Sequence, residues 1–152
     1  MSDYMFMLES HLSANQNRVV SEVREVAEKA NVNLFLTGGA MRDMLGGFPL
    51  RDLDFSVEGN ALKLAKKGAG KTGARILSTD EVRKSAELLF PGDVTAQIAM
   101  ARVEKYTKPG AKPHVAPSTI YEDLSGRDFT INADALSLNR ASLGLLIAPN
   151  NG

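Results

Sequence analysis

Cysteine is absent from the sequence, which excludes disulfides, thiolate zinc sites and cysteine nucleophiles together. A prevailing sign of charge is absent too. Lys and Arg number 18, and so do Asp and Glu, so no global positive field advertises a nucleic-acid partner, and only a local basic patch can serve one. No apolar run approaches bilayer-spanning length, and the N-terminus MSDYMFMLESHL lacks a basic region followed by an uninterrupted apolar stretch. Histidine is scarce: His11 and His114 have no partner at metal-ligand spacing and are expected at the surface. There is no Gly-x-Ser-x-Gly elbow, no Walker loop and no dinucleotide fingerprint after a strand. A cytoplasmic, soluble protein is the expectation these absences leave.

What is present suits one globular domain. The 152 residues are 43% hydrophobic and 24% charged, enough for a core and unlike a disordered chain. Residues 13–30 place Val19, Val23, Val26, Ala27 and Ala30 at helical spacing, with Ser13 and Gln16 as a capping box. VNLFLT (32–37) reads as a buried strand running into Gly38-Gly39, AMRDML has helical character, and GGFP (46–49) is a turn. DLDFSV (52–57) alternates, and Asn60 caps a helix over ALKLAKKGAG. GARILS (73–78), AELLF (86–90) and VTAQIAMARVE (94–104) read as strands. KYTKPGAKPHVAPST (105–119) is too rich in proline for regular structure, TINADALSL (130–138) has helical spacing, and LGLLIA (143–148) is a final short strand. Strands interleaved with helices predict an α/β (α+β) domain, a mixed sheet with helices on one face.

The stretch LTGGAMRDMLGGFPLRDLDF (36–55) carries the chemistry. Strand alternation puts Asp52 and Asp54 on one face with Cβ atoms roughly 7 Å apart. Paired carboxylates suit Mg²⁺, which prefers hard oxygen ligands and completes its shell with water and phosphate. The same alternation also describes a solvated strand face. The glycine pair supplies context, because Gly38 and Gly39 at a strand-to-helix turn let main-chain N–H groups approach an anion, and Arg42 adds a forked cation. A second cluster, EDLSGRDFTINA (122–133), offers Arg127 for phosphate oxygens and Asp128 for a ribose hydroxyl. Its other reading is a charged helix N-terminus capped by Asp128 or Thr130.

With both clusters in hand, the sequence resembles the head domain of the class II tRNA nucleotidyltransferase and bacterial poly(A) polymerase family. GGAMRD (38–43) and DLDF (52–55) are similar to its first signature and DLSGRDFTINA (123–133) to its second, while ARVEKYTKPGAKPHV (101–115) resembles the segment between. The likeness runs from about residue 32 to 148. It implies a polymerase-β-like nucleotidyltransferase fold with a mixed, mainly antiparallel sheet. It further implies Asp52 and Asp54 as Mg²⁺ ligands in a two-metal nucleotidyl transfer, Gly38, Gly39 and Arg42 at the triphosphate, and Arg127 and Asp128 at the nucleotide and its ribose. The implied reaction is attack of an RNA 3′-hydroxyl on the α-phosphate of ATP or CTP, as in CCA addition to tRNA or poly(A) addition.

The sequence departs from the family pattern at three positions: Gly126 stands where an arginine is usual, Asp134 where an apolar residue is usual, and Gln97 where some relatives carry an acid. The family reads the base and grips tRNA with helical regions after the head. The resemblance therefore implies that residues 1–152 are a catalytic head, a fragment with negligible CCA addition of its own. Two other readings compete: a nucleotide- or RNA-binding remnant without catalysis, and a same-fold transferase acting on a small molecule.

Overall fold

The computed structural model describes residues 3–105, 110, 114–126 and 134–148. The chain opens with α1 (Asp3–Ser10) and α2 (Ala14–Lys29), then β1 (Asn33–Leu36), α3 (Gly38–Leu45), β2 (Leu53–Glu58) and α4 (Ala61–Thr72). A meander follows: β3 (Arg75–Asp80), β4 (Ser85–Phe90) and β5 (Val94–Met100). After it come β6 (Arg102–Lys105), β7 (His114–Pro117), α5 (Ile120–Ser125), β8 (Ala135–Ser137) and β9 (Leu146–Ile147).

Local sequence accounts for most of these boundaries. Ser13 and Gln16 close a reciprocal capping box at the start of α2, and Val19, Val23, Val26 and Ala27 line its buried face. Asn60 accepts the Lys63 N–H at 3.0 Å to start α4. Gly73 ends α4 in the left-handed conformation, φ 78°, a geometry that favours glycine.

Seven strands form one sheet in the order β3-β4-β5-β2-β1-β8-β9, and β6 and β7 form a separate ribbon. Among the described residues, only β2 and β5 pair in parallel; the other strand pairs are antiparallel. The expected mixed, mainly antiparallel sheet is therefore present. Leu34, Leu36, Leu53, Phe55, Val57, Ala96 and Ile98 join residues of α1 to α4 in the main core. Phe35, on the opposite sheet face, packs instead with Ile120 and Leu124 of α5. Four helices thus cover one face, and the short α5 lies against the other.

Four expectations require correction. The stretch 94–104 is two strands, because the chain leaves the sheet at fully buried Ala101, whose N–H bonds the Val57 carbonyl at 2.8 Å. Residues 114–117, read as irregular, form β7, with Pro117 at its end opposite Arg102, a position where a strand tolerates proline. Helical spacing over 130–138 is contradicted at Ala135–Ser137, a strand beside β1; residues 130–133 lie outside the described residues. A short, fully buried run offers no periodicity to separate the two states. His11 is part-buried, with Nδ1 2.7 Å from the Met7 carbonyl, whereas His114 is exposed as expected. Helix α1 had no counterpart in the sequence reading.

Candidate active site

The site is built where β1 turns into α3. Gly38 takes φ 61°, and a Cβ there would stand 3.3 Å from Asp54 Oδ2. The backbone angle favours glycine, and a Cβ would press on the Asp54 carboxylate. At Gly39 a Cβ would lie 3.3 Å from an Arg42 guanidinium nitrogen and 3.4 Å from Asp54 Oδ2. The two glycines therefore keep the space between helix, arginine and carboxylate open.

Thr37 occupies the N-cap of α3 without making a side-chain capping bond. The cap comes from the neighbouring strand: Asp54 Oδ2 accepts the Ala40 N–H at 3.1 Å, and the Gly39 N–H also bonds this carboxylate. A negative group is favoured at this helix end, where amides without intrahelical partners converge. The same amides suit a phosphate.

Asp52 and Asp54 flank the fully buried Leu53, so both carboxylates stand on the sheet face opposite the main core. Asp52 is exposed and accepts a hydrogen bond from the Thr95 hydroxyl. Asp54 is half-buried, and burial pushes its carboxyl above the usual carboxylate range, with the Asp52 charge adding to the rise. The Ala40 and Gly39 N–H groups and the Arg42 charge act the other way. Parallel pairing places Gln97 directly beside Asp54, and antiparallel pairing places Glu87 beside Gln97. A neutral amide thus stands between Asp54 and the next carboxylate along the row.

Gly38, Gly39, Asp54 and Gln97 border an open cavity of about 680 Å³, whose far wall includes Arg102, Asp123 and Gly126. Asp123 is buried and accepts the Arg102 N–H at 3.0 Å, tying α5 to β6. Thr119 and Glu122 cap α5 reciprocally. Arg127 and Asp128 lie outside the described residues, immediately after Gly126. Gly38, Gly39, Arg42, Asp52 and Asp54 are brought together as expected.

Three residues at this site were given no role in the sequence reading. Buried Asp43 receives Arg51 through its main-chain N–H and its guanidinium at 3.3–3.4 Å, which fixes the turn that delivers Asp52. Thr37 and Ser56 meet on the cavity floor. Asp43 sits within the quoted GGAMRD stretch and alternation over 52–57 puts Ser56 on the Asp54 face, so both positions were signals; the pairing of Ser56 with Thr37 left none.

Asp52 and Asp54 offer hard oxygen donors on one side only. Magnesium is usually held by one or two carboxylates, with waters and substrate phosphates completing the octahedron. No cluster of three or more His, Asp or Glu suited to a metal occurs among the described residues. The donor set therefore fits a magnesium ion that shares its shell with a phosphorylated substrate.

Over residues 34–147 the sequence matches the family described as the poly A polymerase head domain. It is 39% identical over 152 residues to the A-adding tRNA nucleotidyltransferase of Halalkalibacterium halodurans, covering 99% of this chain and 35% of that protein. It is 36% identical over 108 residues to the CC-adding tRNA nucleotidyltransferase of Deinococcus radiodurans, covering 71% of this chain and 29% of that one. Among solved structures, a CCA-adding enzyme in apo form superposes with a TM-score of 0.84 at 34% identity, covering 97% of this chain and 34% of the other. The chain thus spans about a third of the length of each of these three relatives.

Proposed function

This chain belongs to the poly(A) polymerase head-domain family, and on that footing we propose that it is the nucleotidyl-transferring part of a tRNA nucleotidyltransferase. It would add AMP or CMP from ATP or CTP to a tRNA 3′ end. AMP is the first nucleotide to test, because the relative matched over 99% of the chain is A-adding. The observation that carries the reading is the double engagement of Asp54. One of its oxygens holds the N-terminal end of α3, while Asp52, directly before its strand, stands two positions away. Phosphate-binding amides and metal-binding carboxylates are thereby one hydrogen bond apart.

Asp52 and Asp54 would hold Mg²⁺, which supplies charge neutralisation at the reacting phosphate in a two-metal transfer. The Gly38-Gly39 turn and Arg42 would receive the triphosphate tail. Arg127 and Asp128, next along the chain from the cavity wall, would meet the nucleotide and its ribose. In the transfer, the tRNA 3′-oxygen forms a bond to the α-phosphorus. The bond from that phosphorus to the bridging oxygen breaks, pyrophosphate leaves, and the hydroxyl proton passes to solvent.

The decisive experiment pairs Asp52→Ala and Asp54→Ala. In the full protein that carries this chain, AMP transfer to a tRNA transcript should fall to background in both variants. In the chain itself, Mg²⁺-dependent ATP binding should be lost, while circular dichroism stays native. Binding of Mg²⁺-ATP at wild-type strength by both variants would instead identify a nucleotide-binding remnant.

A further inference from the structure

Thr37, directly after β1, and Ser56, on the adjacent β2, are 4% and 2% exposed, with their hydroxyl oxygens 2.9 Å apart. Each hydroxyl carries one proton and two acceptor positions. Whichever group donates, the pair consumes one proton and retains the other. Among the described residues neither oxygen has a second hydrogen bond. A donor without an acceptor is rare at this depth, and both residues line the cavity that holds Asp54. Thr37 also forgoes the helix-capping bond its position offers, the usual use of a threonine there.

The location of the spare proton narrows what it meets. Thr37 stands opposite Asp54, its N–H bonding the Asp54 carbonyl at 2.9 Å. Ser56 follows Asp54 by one strand repeat on the same face, on the side away from Asp52 and towards α5, where Glu58 bonds the Ile120 N–H. With the triphosphate tail at α3 and the α-phosphate between Asp52 and Asp54, the next group of a nucleotide is its sugar. A single neutral donor matches a neutral hydroxyl oxygen, whereas the phosphates already meet amides and a guanidinium.

We propose that the Thr37–Ser56 hydroxyl pair is a sugar-binding element of the nucleotide site, donating its unused proton to a ribose hydroxyl of the incoming nucleotide. This rests on the nucleotidyltransferase reading above. It adds to the site a positioning contact made by the sheet itself.

The test is the double variant Thr37→Val/Ser56→Ala, which replaces both partners with apolar groups of similar size, a change that can be nearly neutral for stability. Calorimetric titrations would compare Mg²⁺ complexes of ATP, 2′-deoxyATP, 3′-deoxyATP and inorganic tripolyphosphate, with thermal unfolding recorded alongside. The double variant should bind ATP about 5- to 10-fold more weakly, a loss on the scale of one hydrogen bond. It should match wild type for tripolyphosphate and for whichever deoxynucleotide lacks the contacted hydroxyl. Thr37→Ser, which keeps the hydroxyl, should bind like wild type. Unchanged ATP affinity would overturn the proposal. So would parallel losses for ATP and both deoxynucleotides, or an equal loss for tripolyphosphate. A wild-type chain that binds neither Mg²⁺-ATP nor tripolyphosphate would overturn the nucleotidyltransferase reading as well, and so separates the two failures.

Discussion

Asp54 serves the fold and the site in opposite senses. Its carboxylate caps α3, yet burial and the neighbouring Asp52 raise its pKa above the ordinary value. A raised carboxyl pKa means that the folded chain holds this proton more tightly than the unfolded chain. The unfavourable contribution is absent below the ordinary carboxylate value, grows as pH rises through the interval up to the raised value, and is complete above it. Asp54→Asn removes that charge and keeps an oxygen able to cap. The metal-free variant should therefore melt at a higher temperature than wild type at pH 7, and the advantage should shrink towards zero as pH falls below the unperturbed value. Melting curves between pH 3 and 8 in chelator check this; an advantage independent of pH would assign it to something other than the charge. Asp52 and Asp54 were legible in the sequence because alternation alone puts them on one face. The capping role of Asp54 was not, since its partner amide at Ala40 lies fourteen positions away across a turn.

At the level of elements, the short α5 shows how much freedom the site retains. It ends at Gly126 with φ −84°, an ordinary right-handed angle. Among the described residues, a Cβ there would meet only the Asp123 and Glu122 carbonyls, at 3.6 and 3.8 Å. Nothing in the helix end requires glycine, although the related pattern places arginine at this position. Gly126→Arg should fold with an unchanged melting temperature and bring a cation to the cavity wall. Its affinity for tripolyphosphate should rise about 3- to 10-fold, the scale of one charge-assisted contact in a solvated site. Titration at two salt concentrations checks it, since the gain should diminish as salt screens the charge. The other elements divide by how local their causes are. The α2 capping box and the Asn60 cap were legible because donor and acceptor lie three residues apart. The break at Ala101 and the strand at Ala135–Ser137 were not, because each depends on a partner strand far away in sequence.

Across the whole molecule, the sheet joins two units of different origin in the chain. One is β1, α3 and β2, which carries Gly38, Gly39, Arg42, Asp52 and Asp54. The other is the β3–β4–β5 meander, which carries Thr95 and Gln97. Within the sheet they meet along the parallel β2–β5 ladder, and the Asp52–Thr95 bond at its mouth links residues 43 positions apart. Closing so long a connection costs chain entropy before its contacts offer any return. The candidate active site lies on this join, so the proposed Mg²⁺-nucleotide would engage both units at once. At a hundred times the dissociation constant, a ligand specific for the native state adds about 2.7 kcal/mol to stability. Hydrogen exchange should show that gain on the amides between Leu53 and Val57 and between Ala96 and Met100, and less of it on outermost β3. Protection confined to α3 would contradict this. The nucleotide proposed for this site would then act as a removable staple across this seam. A cell depleted of nucleotide would hold a looser, more protease-sensitive form of the same protein.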